Sequence, residues 1–423
     1  MDWEEIDNPV DESLFSAVAE GGLTVRVNPR SGWQRSFAAL GINFGSVDRL
    51  RDGEIPMGVA HFLEHKLFED RHGDVSDRFA QMGASTNAMT GFHGTTYIFT
   101  AVDEAMRCLD LLLDFVQEPY FTEELIAKEQ GIIAQEIGMY EDDPDWRLFF
   151  GLLACLYDKH PVKENIAGTV ESIAQIDASV LERCYREYYC PANMCLAVAG
   201  SVDHQEVGVL VEADQSGRVP NSHPRHVRDV WDESPSVVCE RVELALPVNR
   251  PRLLVGVKEE RVEGEGPVVV KRRLATRILL DAMFGRSSDT FENLYCDGLI
   301  DESFGASHAA DWGFGFSTIG GETDHPEALE NAVRHTLFES RDRGVDADCI
   351  SRIQKKMTGA LLRRANSPED TAFEMLNSAF RGVTPYAAIE MVNSLSVDDL
   401  NVRLQEHVRE EGLATSIVRP KRA

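Results

Sequence analysis

At 423 residues, with 43% hydrophobic and 27% charged residues, the chain has the composition of an ordinary soluble globular protein, long enough for two or three domains. Its formal net charge of −29 argues against nucleic acid and against anionic membrane surfaces as partners, leaving peptides, small molecules and other proteins. No stretch approaches the roughly 18–20 apolar residues that span a bilayer, the acidic start carries no secretory signal pattern, and the eight cysteines form no CxxC, so reduced thiols and a cytoplasmic location are expected.

In chain order, the first strand is expected at 36–46 ("SFAALGINFGS"), followed by a helix over 57–68 ("MGVAHFLEHKLF"). A strand at 95–102 leads into a helix at 103–117, and further helices are predicted at 122–141 and 177–189 before a strand at 194–202. Residues 216–236, rich in Pro, Ser and charge, show neither period and read as a linker. Beyond it come a strand at 252–258, a helix at 271–285 and a strand at 313–321. The two sides repeat one order. "TTYIFTAVDEAMRCLDLLLDFV" is echoed by "FSTIGGETDHPEALENAVRHTLF", and "ESIAQIDASVLERCYREYYCPANMCLAVAG" by "NSLSVDDLNVRLQEHVREEGLATSIVRP". Two similar tandem α+β domains, 1–215 and 237–423, are therefore expected.

The chemistry is concentrated in "GVAHFLEHKLFED" (58–70), where His61, Glu64 and His65 interrupt an apolar run. On a helix the positions i, i+3 and i+4 are neighbours on one face, so the two imidazoles can share a zinc ion at about 2.0–2.1 Å each, with Glu64 beside them to hydrogen-bond a water. The plainer alternative is a pair of core histidines satisfied by hydrogen bonds. A metal accounts for all three polar groups at once, and burying them without partners is costly. A third protein ligand is then needed. In the helix from Thr122, an apolar stripe of Leu125, Ile132, Ile133 and Tyr140 shares its face with Glu129 and Glu136. Solvated carboxylates normally take the opposite face. Glu123 and Glu124, by contrast, follow a Thr122 cap and suit the helix dipole there.

"HFLEH" followed some seventy residues later by "KEQGIIAQE" resembles the pitrilysin/insulinase family of inverted-motif zinc peptidases, which includes mitochondrial processing peptidases. "GASTNAMTGFHGTTYIFT" is similar to that family's substrate-pairing edge strand, and the likeness is strong over 30–205 and weak over 240–420. It implies a tandem of domains, each a mainly antiparallel sheet packed against helices. By the resemblance, His61, His65 and Glu136 are the ligands of one zinc, Glu64 the general base and Glu129 a supporting carboxylate behind the ligands. Ala84, Ser85, Thr86, Asn87 and Ala88 would bind substrate backbone by strand addition. The second half lacks an H-x-x-E-H, so only the first can hold metal in this way.

One departure bears on partners. Active family members usually carry, in the second domain, an arginine and a tyrosine seven residues apart that bind the substrate carbonyl. Here "GRSSDTFENLYCDGLIDESFG" (285–305) places Tyr295 where the arginine is expected and Asp301 or Glu302 near the tyrosine position. The expectation is a zinc endopeptidase acting on peptides or unfolded segments as a dimer, with a homologous partner subunit supplying both residues. Two rival readings are a non-catalytic assembly subunit retaining the fold and a metal hydrolase for small molecules.

Overall fold

A computed structural model describes residues 1–10, 12–50, 55–218, 226–228, 231–260 and 266–421. The strands are β1 (Glu4–Glu5), β2 (Phe15–Val18), β3 (Thr24–Pro29), β4 (Ser36–Ile42), β5 (Glu69–Asp70), β6 (Gly73–Asp74), β7 (Ser85–Thr90), β8 (Thr95–Ala101), β9 (Met194–Gly200), β10 (Arg241–Leu246), β11 (Arg252–Lys258), β12 (Gly305–Asp311), β13 (Phe314–Glu322) and β14 (Leu413–Pro420). The helices of the first half are α1 (Val59–Leu67), α2 (Val75–Gln81), α3 (Ala105–Gln117), α4 (Glu123–Asp142), α5 (Pro144–Leu156), α6 (Val170–Ile173), α7 (Ala178–Tyr188) and α8 (His204–Gly217). Those of the second half are α9 (Pro267–Phe284), α10 (Asp289–Cys296), α11 (Pro326–Arg343), α12 (Ala347–Arg364), α13 (Pro368–Phe380), α14 (Ala387–Ser394) and α15 (Val397–His407).

The expected internal repeat is visible in the strand register. One sheet runs β1-β2-β3-β9-β4-β8-β7 and the other β10-β14-β11-β13-β12. In the first, β3 is parallel to β9, and the β9–β4, β4–β8 and β8–β7 pairs are antiparallel. In the second, β10 is parallel to β14, and the β14–β11, β11–β13 and β13–β12 pairs are antiparallel. The helices repeat down to single side chains. Gln130 of α4 donates to the Ile173 and Ile176 carbonyls at 3.3 and 3.1 Å; Gln354 of α12 donates to those of Val392 and Leu395 at 2.8 and 2.9 Å. The fold is thus the tandem α+β arrangement read from the sequence, each sheet antiparallel but for one pair.

The chain divides into two compact units that are not contiguous in sequence. The first comprises 1–137, 165–228 and 361–387; the second comprises 138–164, 229–360 and 388–423. In the first unit α13, from the second half of the chain, lies on β9, β4 and β3. In the second, α5, from the first half, lies on β14, β11 and β10. Close approach is made through glycine in both: a Cβ at Gly41 of β4 would lie 2.6 Å from Leu376, and one at Gly256 of β11 would lie 2.8 Å from Leu152. Strands alternate their faces, so Phe37, Ala39 and Gly41 meet α13 while Leu40 and its neighbours Tyr97 and Phe99 in β8 face the α1/α3 side. A strand buried on both faces needs the continuous apolar run that β4 and β9 have.

Two smaller expectations are corrected. The buried face of α4 is Ile126, Glu129, Ile133 and Ile137, whereas Ile132 is 45% exposed, so the stripe of Leu125, Ile132, Ile133 and Tyr140 is not the packed one. Within the expected linker, α8 continues to Gly217, and 226–228 is anchored by side-chain contacts. Arg228 donates to Asp48 Oδ1 at 2.7 Å and to Asn43 Oδ1 at 2.7 Å, and His226, its side chain 6% exposed, stands 3.3 Å from the same aspartate. Burial opposes a charge on Asp48, but the neighbouring Arg228 and His226 outweigh it and keep its pKa below the usual carboxylate range.

Candidate metal centre

Helix α1 starts abruptly because Gly58 has a left-handed backbone, φ 89°, and its carbonyl accepts from Phe62 N–H at 2.8 Å. A Cβ there would stand 2.4 Å from the Ala167 carbonyl oxygen, while Ser172 Oγ donates to the Met57 carbonyl at 2.9 Å. The entry to the helix is therefore clamped against the 165–172 segment. At the other end buried Lys66 donates to Glu69 at 2.8 Å, and Glu69 accepts from Lys128 of α4 at 3.1 Å. We expect Gly58→Ala to lose about 1–3 kcal/mol of stability, as a strained non-glycine residue with a backbone clash does. A denaturant melt checks this, and chelator competition should show weaker metal retention; an unaltered melt would remove the clamp from the account.

Residues 59–64 of α1 are all buried, including His61 and Glu64, and α4 runs beside them. His61 Nε2 lies 3.6 Å from Glu136 Oε1, and His65 Nε2 lies 3.5 Å from Glu136 Oε2. Among the described residues, His61, His65 and Glu136 are the one group of three or more metal-ligating side chains whose donor atoms all lie within 4.8 Å of one another. Ligand atoms around one tetrahedral zinc stand roughly 3.3 Å apart, so two imidazoles and a carboxylate at these separations fit that ion. Glu129 lies behind: its Oε1 is 3.0 Å from His65 Nδ1. In the neutral ring that bond places the proton on Nδ1 and leaves the Nε2 lone pair facing the cluster. Glu136 and His65 keep 24% and 26% of their side chains exposed, which leaves one side of the cluster open.

The electrostatics separate the two histidines. Burial, then the neighbouring His65, holds the His61 pKa down to about 4, so it is a neutral donor at pH 7. For His65 burial works the other way from its partners, and the Glu129 hydrogen bond with the charges of Glu64, Glu129 and Glu136 raises its pKa. Glu64 is raised by burial, partly opposed by a hydrogen bond from Thr90, whose Oγ1 is 2.6 Å from Glu64 Oε2. A carboxylate so placed has increased proton affinity. Behind it Tyr97 and Tyr189 share a buried hydroxyl contact of 2.9 Å.

The proposed substrate strand falls at a sheet edge. Ala84 precedes β7, and Ser85, Thr86, Asn87 and Ala88 belong to it; among the described residues β7 pairs with β8 on one side only. Ser85, Asn87 and Met89 are exposed, whereas Thr86, Ala88 and Thr90 form the half-buried row. The Ala88 N–H donates to its neighbour's Asn87 Oδ1 at 2.9 Å, a bond that an added strand would exchange for its own. In the second unit Tyr295 is 54% exposed on α10, and Asp301 is committed to Arg250 at 2.6 Å.

Residues 27–170 match the family model described as insulinase (peptidase family M16), and 175–357 match that of the peptidase M16 inactive domain. A Bacillus subtilis (strain 168) protein named uncharacterized zinc protease YmfH is 38% identical over 97% of this chain and 98% of its own. The chain belongs to the peptidase M16 family. A second protein of that strain, uncharacterized zinc protease YmxG, is 26% identical over 77% of this chain and 78% of its own. The crystal structure of a putative M16-like peptidase from Alicyclobacillus acidocaldarius is 36% identical, covers 99% of this chain and 100% of its own, and has a TM-score of 0.94. Pitrilysin, at 18% identity and a TM-score of 0.77, shares the fold, with 99% of this chain matching 46% of it. Zinc-protease relatives imply zinc, and the donor set fits it. No helix among the described residues is long and apolar enough to cross a membrane.

Sequence reasoning missed Thr90, Lys66 and the Asp48–Arg228 pair. Thr90 reads as a strand residue, and nothing local links it to a helix 26 residues earlier.

Proposed function

We propose that this M16 chain is a cytoplasmic zinc endopeptidase acting on peptides or unfolded segments, with one zinc held by His61, His65 and Glu136. The observation that carries it is the convergence of those donors beside buried Glu64. Zinc, when bound, supplies Lewis-acid polarisation of a water and of a peptide carbonyl. Glu64 accepts the proton of the attacking water and returns it to the leaving amine. Glu129 holds the His65 ring and its tautomer through Nδ1. An extended substrate adds to the free edge of β7 along 84–88, where backbone hydrogen bonding gives affinity without requiring one sequence.

The same reading makes the chain the metal-bearing member of a pair. Tyr295 stands where the family usually has its carbonyl-binding arginine and Asp301 or Glu302 near the position of its tyrosine, and a missing oxyanion donor costs about 10²–10³ in rate. A homologous subunit carrying both would restore it. A homodimer adds no such pair. The assembly-subunit alternative is disfavoured by the intact set of His61, Glu64, His65, Glu129 and Glu136, which a scaffold has no need to keep. The test is metal analysis with quenched-peptide cleavage, for the chain alone and mixed with such a homologue. Stoichiometric zinc, slow cleavage alone and strong stimulation are expected. Full activity alone, unchanged by any partner, rejects the pairing; zinc without cleavage in either case rejects the peptidase.

A further inference from the structure

We infer that Thr90 is a positioning residue for Glu64, fixing one carboxylate oxygen and tying the base to the edge strand that receives substrate. The inference rests on the peptidase reading above. Thr90 is the last residue of β7 and belongs to the row Thr86, Ala88, Thr90 that turns away from solvent, toward α1. Its Oγ1 lies 2.6 Å from Glu64 Oε2 and 3.4 Å from Thr95 Oγ1, its register partner in β8. Thr95 gives its own hydroxyl proton to the Phe44 carbonyl at 2.9 Å. A threonine hydroxyl has one proton, so Thr95 has none left for Thr90, and the nearer, charged acceptor takes the proton of Thr90. The hydroxyl therefore has one direction, toward the carboxylate.

The strand end that carries it is held rigidly. Gly91 N–H donates to the Gly94 carbonyl at 2.8 Å, and the N–H groups of Ser46 and Val47 donate to the Gly91 and Phe92 carbonyls, each at 3.1 Å. Because the donor belongs to the substrate strand itself, the register of the bound peptide and the place of the base are set by one element. Misplacement of a reacting group by about 1 Å costs on the order of 100-fold.

The test compares Thr90→Val, which keeps the branched shape and removes the donor, with Thr90→Ser, which keeps the donor. Zinc content, kcat, KM and a crystal structure are measured for each on the purified full chain, with the stimulating homologue present in the kinetics. We expect Thr90→Val to bind zinc normally and keep its KM, lose about 10–100-fold in kcat, and show Glu64 displaced from the position it holds beside Thr90. Thr90→Ser should restore most of kcat. Wild-type kcat in the valine variant, equal impairment of both variants, loss of zinc, or an unmoved Glu64 would each overturn the inference. Failure of the peptidase reading is separable: Glu64→Gln would then match the wild type in cleavage, while the crystal structures still report whether Thr90 places Glu64.

Discussion

Glu64→Gln should keep its zinc and lose hydrolysis by about 10²–10⁴-fold or more, the range that a positioned proton-transfer group contributes. The amide has the shape of the carboxylate, and its oxygen can still accept from Thr90 Oγ1 at the present 2.6 Å. What it cannot do is take a proton from water. Glu64 is not among the three donors that converge on one point, so its replacement leaves His61, His65 and Glu136 in place. Elemental analysis beside a quenched-peptide assay separates the two properties. A fully metallated glutamine variant with near-normal turnover would remove Glu64 from the role of base.

Glu136→Gln should release most of the zinc, whereas Glu129→Gln should weaken binding by roughly the 10–100-fold typical of outer partners of a ligand. The ranking follows from which atoms each carboxylate faces. Glu136 presents Oε1 to His61 Nε2 and Oε2 to His65 Nε2, so it shares the cluster with both imidazoles. Glu129 touches only the far nitrogen of His65, where it orients the ring and fixes its proton. By the proposed assignment, neutralising Glu136 removes a charged ligand directly, whereas neutralising Glu129 lets His65 turn. Chelator competition at fixed pH measures both, and the opposite order would exchange the two assignments. The same titration on Gly58→Ala connects the metal site to the clamp at the start of α1.

Those residues were legible because their relations are local. The i, i+4 spacing of His61 and His65 and the seven-residue spacing of Glu129 and Glu136 fix shared helix faces whatever the helices pack against. The repeat was legible for a similar reason, since strand–turn–helix order is written along the chain. The buried face of α4 was not. Apolar residues stand at both 125 and 126 and at both 132 and 133, so the 3.6-residue period admits two stripes about 100° apart. Packing selected the one with Ile126, Ile133 and Ile137, which turns Glu129 inward to His65.

By itself the sequence determined two tandem α+β halves and the shared helix faces of His61, Glu64 and His65 and of Glu129 and Glu136, because each depends on spacing within one element or on the order of elements. The tertiary structure alone decided how those elements meet. It exchanged α5 and α13 between the sheets, seating each against a glycine of a strand far away in the chain. It also brought Thr90 to Glu64 and Arg228 to Asp48, across 26 and 180 residues. Amphipathic periodicity states that a helix has a face to bury; which of several apolar surfaces receives it is settled only when all of them compete for the same core.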